Sequence, residues 1–202
     1  MTINYSNGKK YTPLTTTPKK LTSLKKMSHS KRGMSLEDDL NDSNRYYLAH
    51  NIAVVHKKPT PIKIVKVKYP SRSQALITEA YFSQASTTDY NGVFKGKYVD
   101  FEAKETTSST AFPLKNIHEH QLKHMLQVHE QSGIAFVIIR FTNLSSTYLL
   151  DIKQLHYYWQ RMLNDGRKSI ALKEIEATGH PIILGYHPRV DYIQVIKNVY
   201  HL

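Results

Sequence analysis

The stretch Thr87-Thr88-Asp89-Tyr90-Asn91-Gly92-Val93-Phe94-Lys95-Gly96-Lys97-Tyr98-Val99-Asp100-Phe101-Glu102-Ala103-Lys104 sets both the architecture and the chemistry of this chain. Two runs of strand-forming residues, 89–94 and 97–104, flank Lys95-Gly96, a pair suited to a tight hairpin. Side chains two apart on a strand share a face, so Glu102 and Lys104 project together, and a hairpin brings Asp89 onto the neighbouring strand beside them. Metal-dependent phosphodiester hydrolysis needs that set: carboxylates for a hard divalent ion and a cation near the scissile phosphate or the attacking water. Thr87 and Thr88 can add oxygen ligands to Asp89. An acid-x-Lys triplet arises by chance about once in a chain of this length, and Asp151-Ile152-Lys153 is a second instance. It ends an apolar strand and lacks an upstream Asp in a hairpin, so it reads as a strand-end charge pair.

Working outward, Ser35 is a good N-cap and Glu37 and Asp38 suit the positive end of a helix. Leu36, Leu40, Tyr47 and Leu48 fall on its inner face, the helix ends near His50, and Glu37 is placed to close the site. Residues 52–55 read as a short buried strand. From Ile62 to Tyr69, apolar residues alternate with Lys63, Lys66 and Lys68, with a slip between Ile64 and Val65 that suggests a bulge. A ribbon studded with lysines sits poorly in a core. Pro70, Ser71 and Arg72 turn the chain, and a second mixed segment ends in Tyr81 and Phe82, so residues 60–86 read as a protrusion. Helix follows over about 116–131, with Leu122, Met125 and Leu126 inward and His118 or Val128 as further inward candidates. Ile134–Arg140 and Tyr148–Ile152 are apolar strands, 152–162 and 170–177 are amphipathic segments, and a last short helix spans about 191–199. Strands mixed with helices in this order make the class α/β.

The composition narrows the function. The net charge is +12, and residues 1–33 carry Lys9, Lys10, Lys19, Lys20, Lys25, Lys26, Lys31 and Arg32 with no acid. Basic excess of that kind attracts polyanions, so residues 1–31 read as a flexible arm, either a solvated tail or one lying along phosphates, followed by a nuclease domain over 32–202. The chain has no cysteine, which excludes thiol catalysis, disulfides and thiolate zinc. Its longest unbroken apolar run, Ile134–Ile139, is far too short to span a bilayer, and a cytoplasmic protein without membrane contact is expected. His120 and His124 have helical i, i+4 spacing, but no third zinc ligand accompanies them and His118, and polar helix faces near DNA explain all three. Most of the tyrosines, among them Tyr46, Tyr47, Tyr157 and Tyr158, read as core or interface, and Trp159 as a packing residue.

The wording of several blocks is distinctive. Arg32-Gly33-Met34-Ser35-Leu36-Glu37, His56-Lys57-Lys58-Pro59-Thr60-Pro61, Ser86-Thr87-Thr88-Asp89-Tyr90-Asn91-Gly92 and Asp100-Phe101-Glu102-Ala103-Lys104-Glu105-Thr106 resemble the RecU family of bacterial Holliday junction resolvases. So do Phe112-Pro113-Leu114, Asn116-Ile117-His118, His120-Gln121 and Pro188-Arg189. The resemblance implies a restriction-endonuclease-like core with a mixed central sheet flanked by helices, and a homodimer with one active site per subunit. It also implies symmetric nicking of opposed strands at a four-way junction or related branched DNA. Carried over, Thr87, Asp89, Glu102 and Gln121 would hold Mg²⁺, with Mn²⁺ able to substitute, and Lys104 would stabilise the transition state. Glu37 and Arg32 would sit nearby, Arg32 on DNA. Residues 60–86 would be a stalk entering the junction, with Lys63, Lys66, Lys68, Arg72 and Lys31 on phosphates, Tyr81 stacking and Phe82 as a wedge. Water would attack in line with the leaving 3′ oxygen, with charge on the phosphate neutralised by Mg²⁺. The strand-exchange recombinase is a further expected partner. Two other readings are a nuclease of linear duplex and a non-catalytic junction-binding or recombinase-modulating protein.

Overall fold

In a computed structural model, which describes residues 35–71, 74–83 and 87–202, the chain enters its first helix, α1 (Leu36–Ala49), through a reciprocal cap. The Asp38 amide donates to Ser35 Oγ at 3.2 Å, and the Ser35 amide donates back to the Asp38 carboxylate. Glu37, Asp38 and Asp39 complement the helix dipole in this first turn. Leu36, Leu40 and Tyr47 are buried as expected, but Leu48 is 49% exposed. The inner face continues through polar Ser43 and Asn44, which accept hydrogen bonds from the Val190 amide and the Tyr192 hydroxyl.

Six strands form the central sheet: β1 (Val54–Lys57), β4 (Tyr90–Phe94), β5 (Lys97–Thr106), β7 (Ile134–Phe141), β8 (Ser146–Asp151) and β10 (His180–Pro181), in that spatial order. β1 starts two residues later than its apolar run suggested, because it is an edge strand pairing only with β4 and burying only Val55. Gly92 is required opposite it: a Cβ there would lie 2.1 Å from the Val54 carbonyl oxygen. β4 and β5 are joined by Lys95-Gly96, both at positive φ, the geometry that matches hairpin twist.

β5 and β7 are the parallel pair, which demands a crossover. The crossover contains β6 (Ala111–Pro113), a 3₁₀ turn (Leu114–Asn116) and α2 (Glu119–Glu130). The expected 116–131 helix therefore starts later, at a cap on His118, which is exposed rather than inward. α3 (Ile152–Leu163), β9 (Ser169–Ala171), α4 (Leu172–Thr178) and α5 (Tyr192–Tyr200) complete the described fold, with β9 pairing β6. The 170–177 segment thus splits between a strand and a helix. Asp151 does not pair with Lys153; its carboxylate caps α3 by accepting the Lys153 amide, and it also accepts from the Tyr200 hydroxyl. Tyr47 and Tyr158 are buried, while Tyr157 is exposed; Trp159 packs on the second core, as a packing residue should.

All eight residues of β7 are buried, and the first six, Ile134–Ile139, form an unbroken apolar run that Arg140 ends. One core joins Val99, Phe101, Phe136 and Ile138 to α1 and α5; the other joins Val137 and Ile139 to Leu122, Met125, Leu155 and Ile175. The alternation of β5 then dictates the site. Val99, Phe101 and Ala103 face the first core, and Asp100, Glu102 and Lys104 face the side of α2.

β2 (Ile62–Ser71) and β3 (Gln74–Phe82) form a separate two-stranded sheet. Its described side chains are exposed except for half-covered Val67. Register shifts on either side of Lys66 give the irregularity anticipated where the alternation slips.

Candidate active site

β4 begins at Tyr90, and just ahead of it Asp89 extends the contact with β5 through its own carboxylate and that of Glu102. The Asp89 amide donates to Glu102 Oε2 at 3.1 Å, and the Ala103 amide donates to Asp89 Oδ2 at 3.1 Å. Glu102 is fully buried. Its second oxygen, Oε1, is ion-paired with Lys104 Nζ but makes no hydrogen bond of regular geometry. Burial pushes the Glu102 carboxyl up to about 7, the negative charge of Asp89 adds to the rise, and Lys104 opposes it. A buried carboxylate beside a second carboxylate, with one ammonium to offset the two, is a place where a small hard cation would be favoured. Among the described residues no three His, Asp or Glu side chains cluster as a metal cage. Two carboxylates would leave the remaining positions of a hard divalent ion to hydroxyl, amide or water oxygens.

A cleft of about 220 Å³ opens here, lined by Ser35, Leu36, Glu37, Asp89, Tyr90, Ala103, Lys104 and Glu105. Glu37 forms its wall from the first turn of α1 and is ion-paired with Lys57. The Tyr90 hydroxyl donates to the Glu37 carbonyl at 3.3 Å, fixing that wall to the sheet. Glu105, on the opposite face from Lys104, accepts the Leu36 amide at 2.9 Å. The site and the start of α1 are thus pinned to one strand.

The other anticipated site residues are distributed less simply. Thr87 is exposed, and its Oγ1 accepts from Lys58 Nζ at 3.0 Å. Gln121 is buried on α2, but its Oε1 accepts the His118 amide at 2.9 Å, closing the helix cap. Serving a cation through that oxygen would require sharing or releasing the cap. Lys63, Lys66 and Lys68 line β2, facing Tyr81, Glu79 and Leu76 across the hairpin, and Tyr81 and Phe82 are exposed, Phe82 by 81%. Arg32, Lys31 and Arg72 lie outside the described residues, as does the whole basic segment 1–33.

Sequence reasoning missed Asp100, Lys58 and Arg140. Asp100 is fully buried and accepts from Lys58 Nζ at 2.7 Å, the Tyr98 hydroxyl at 3.1 Å, His124 Nε2 at 3.2 Å and the Thr88 hydroxyl. His124, weighed as a zinc ligand, is instead a partner of this carboxylate. The signal was present: Asp100 shares strand parity with Glu102 and interrupts a buried strand. Arg140 lies within β7 and pairs with buried Asp39 at 2.8 Å. Nothing in an apolar run announced a partner a hundred residues away.

Residues 31–198 match the family model described as recombination protein U. The chain is 59% identical over 200 residues to the Holliday junction resolvase RecU of Bacillus mycoides (strain KBAB4), covering 99% of both chains. It is 58% identical, at the same coverage, to the proteins of that name from Bacillus cereus (strain G9842) and Bacillus thuringiensis (strain Al Hakam). The mixed six-stranded sheet with helices on both faces has the form of a restriction-endonuclease-like core. By matched length and identity, the chain belongs to the RecU family.

Proposed function

We propose that this chain is a divalent-metal-dependent endonuclease that resolves four-way DNA junctions by nicking opposed strands symmetrically, working as a homodimer. The observation that carries this reading is Glu102: a fully buried carboxylate set against a second carboxylate, Asp89, with Lys104 as its ion-pair partner. A surface charge cluster has no reason to bear such burial. The name carried by relatives at 58–59% identity supplies the junction as substrate.

Asp89 and Glu102 would hold Mg²⁺, or Mn²⁺ in its place, with Thr87 and Gln121 contributing oxygens. When bound, the ion supplies Lewis acidity, drawing charge from the scissile phosphate. Lys104 is the cation nearest the two carboxylates, and its ammonium can donate to a phosphate oxygen as charge develops. Water adds to phosphorus in line with the 3′ oxygen, the P–O3′ bond breaks, and the products are a 5′-phosphate and a 3′-hydroxyl. Glu37, exposed on the cleft wall, is suited to orient water or a DNA phosphate's counter-cation rather than to bind the ion with Asp89.

The lysine-bearing hairpin is the element fitted to read junction shape. Lys63, Lys66 and Lys68, with Arg72, would contact phosphates, and exposed Tyr81 and Phe82 would stack on unpaired bases. The basic residues 1–33, including Lys31 and Arg32, would add non-specific affinity. A recombinase partner belongs to the same reading. Among the described residues no helix is long and apolar enough to cross a membrane.

The test is to map nicks in a labelled four-way junction and a linear duplex of matching sequence. Paired nicks at symmetry-related positions in the junction alone support the proposal. Equal cutting of the duplex would make the chain a general nuclease, and tight binding without cutting a junction-binding protein.

A further inference from the structure

Lys58 makes more contacts to the site than any role in DNA binding would explain. Its backbone amide donates to the Asp89 carbonyl at 2.7 Å. Its ammonium donates to Thr87 Oγ1 at 3.0 Å, Thr88 Oγ1 at 2.6 Å and Asp100 Oδ2 at 2.7 Å. The side chain is only 14% exposed, so the charge faces inward. All three donors of an ammonium are thereby used on the protein. Asp100, two residues before Glu102 on the same face of β5, is the anchor, and Thr88, Tyr98 and His124 hold its carboxylate from β4's leading segment, β5 and α2.

We propose that Lys58, anchored on Asp100, is the positioning residue that clamps Thr87, Thr88 and Asp89 against β5 and ties the root of the β2–β3 hairpin to the metal-binding carboxylates. The chain order gives the clamp this second property. Lys58 begins the outgoing leg into the hairpin and Thr87 ends the returning leg, so one ammonium crosses the root of the protrusion and meets the catalytic strand at Asp100. Displacement of the hairpin by DNA bears directly on the segment that presents Asp89. The inference rests on the metal site proposed above.

At Lys58 charge and geometry predict opposite signs, whereas at Asp100 both predict weaker binding and amide exchange at 87–89 carries the test. An ammonium near a cation site repels the ion, so removing it for electrostatic reasons alone would tighten metal binding. A clamp predicts weakening, because Thr87 and Asp89 lose their register; supports of this kind typically change metal affinity by about 10–100-fold. The experiment measures Mn²⁺ affinity directly, by the paramagnetic resonance of free Mn²⁺, in the native chain, Lys58→Met, Lys58→Arg, Asp100→Asn and Asp89→Asn. Amide hydrogen exchange at 87–89 and across β7 is followed in the same samples.

Lys58→Met and Asp100→Asn are expected to weaken Mn²⁺ binding about 10-fold or more and to speed exchange at 87–89 while β7 stays protected. Lys58→Arg is expected to restore part of the affinity. Unchanged or tighter Mn²⁺ binding in both Lys58→Met and Asp100→Asn would overturn the clamp. If Lys58→Met loses protection in β7 as well, Lys58→Arg decides the matter: weakened Mn²⁺ binding with faster exchange at 87–89 and β7 intact supports the clamp, and native binding with native exchange overturns it. Undiminished Mn²⁺ binding by Asp89→Asn would instead sink the metal site itself.

Discussion

Asp89 and Glu102 exchange support across the end of the β4–β5 hairpin: the amide of Asp89 binds the buried Glu102 carboxylate, and the carboxylate of Asp89 binds the next amide after Glu102. The two acids are thus positioned by backbone donors, and neither needs a bound ion to reach its place. What they lack is compensation for two neighbouring negative charges beyond that of Lys104.

That deficit predicts a pH dependence. The Glu102 carboxyl is raised from 4.5 to about 7, chiefly by burial and then by Asp89. A raised acid contributes stability that is fully present below the unfolded value and is lost as pH climbs through the folded value. Without metal, the protein should therefore lose a few kcal/mol between about pH 4.5 and 7 through this group. Metal binding requires the ionised form, so the rise in melting temperature on adding Mg²⁺ should be larger near pH 8 than near pH 5.5. Nicking should increase across the same window. An equal Mg²⁺ effect at both pH values would exclude Glu102 as a ligand that titrates there.

A second prediction concerns the pair on the far side of the sheet. Arg140 Nη1 lies 2.8 Å from Asp39 Oδ2 with both side chains at least nine-tenths covered, and Arg140 Nη2 already lacks a hydrogen-bond partner. Asp39→Asn leaves the guanidinium charge with Glu105, 3.8 Å away, as its remaining acid. Breaking a buried pair from one side costs about 3–5 kcal/mol, which urea denaturation would read as a lower midpoint. Arg189→Gln, which removes a half-exposed partner of Asp39 at 3.6 Å, should cost less than about 1 kcal/mol. Equal small losses would mean that Arg140 is compensated by solvent.

The fold was legible where local chemistry and tertiary packing agreed. Ser35 with Asp38, Lys95-Gly96 and the apolar run Ile134–Ile139 of β7 each carry their structure in a few residues. The hairpin was legible for the opposite reason, since alternating lysines and apolar residues fit no core. Errors arose where tertiary contacts decided. β1 shifted because an edge strand follows its partner, Leu48 is exposed because Ser43 and Asn44 take the inner face through contacts with residues 190–192, and Asp151 caps a helix instead of pairing with Lys153. Strand parity made Glu102 and Lys104 readable as a pair. It equally implicated Asp100, whose partners Lys58 and His124 come from distant segments and so left no local pattern.

The hairpin supplies a third prediction. Because its described side chains are almost all exposed, replacing residues 62–80 with a short turn should leave the melting temperature within a few degrees of the native value. Binding should lose its preference for junctions over duplex, since phosphate contacts elsewhere are indifferent to shape. Retained preference would assign shape recognition to another surface.

The most direct measurement is single-turnover cleavage of a four-way junction in Mg²⁺ by the native chain, Asp89→Asn and Glu102→Gln, with junction affinity measured in parallel in Ca²⁺. Both substitutions remove a charge while keeping shape. Loss of several kcal/mol of transition-state stabilisation corresponds to nicking slowed by about 10³-fold or more, with junction affinity preserved. Paired nicks made by either variant at a rate near the native one would contradict the assignment of hydrolysis to these two carboxylates.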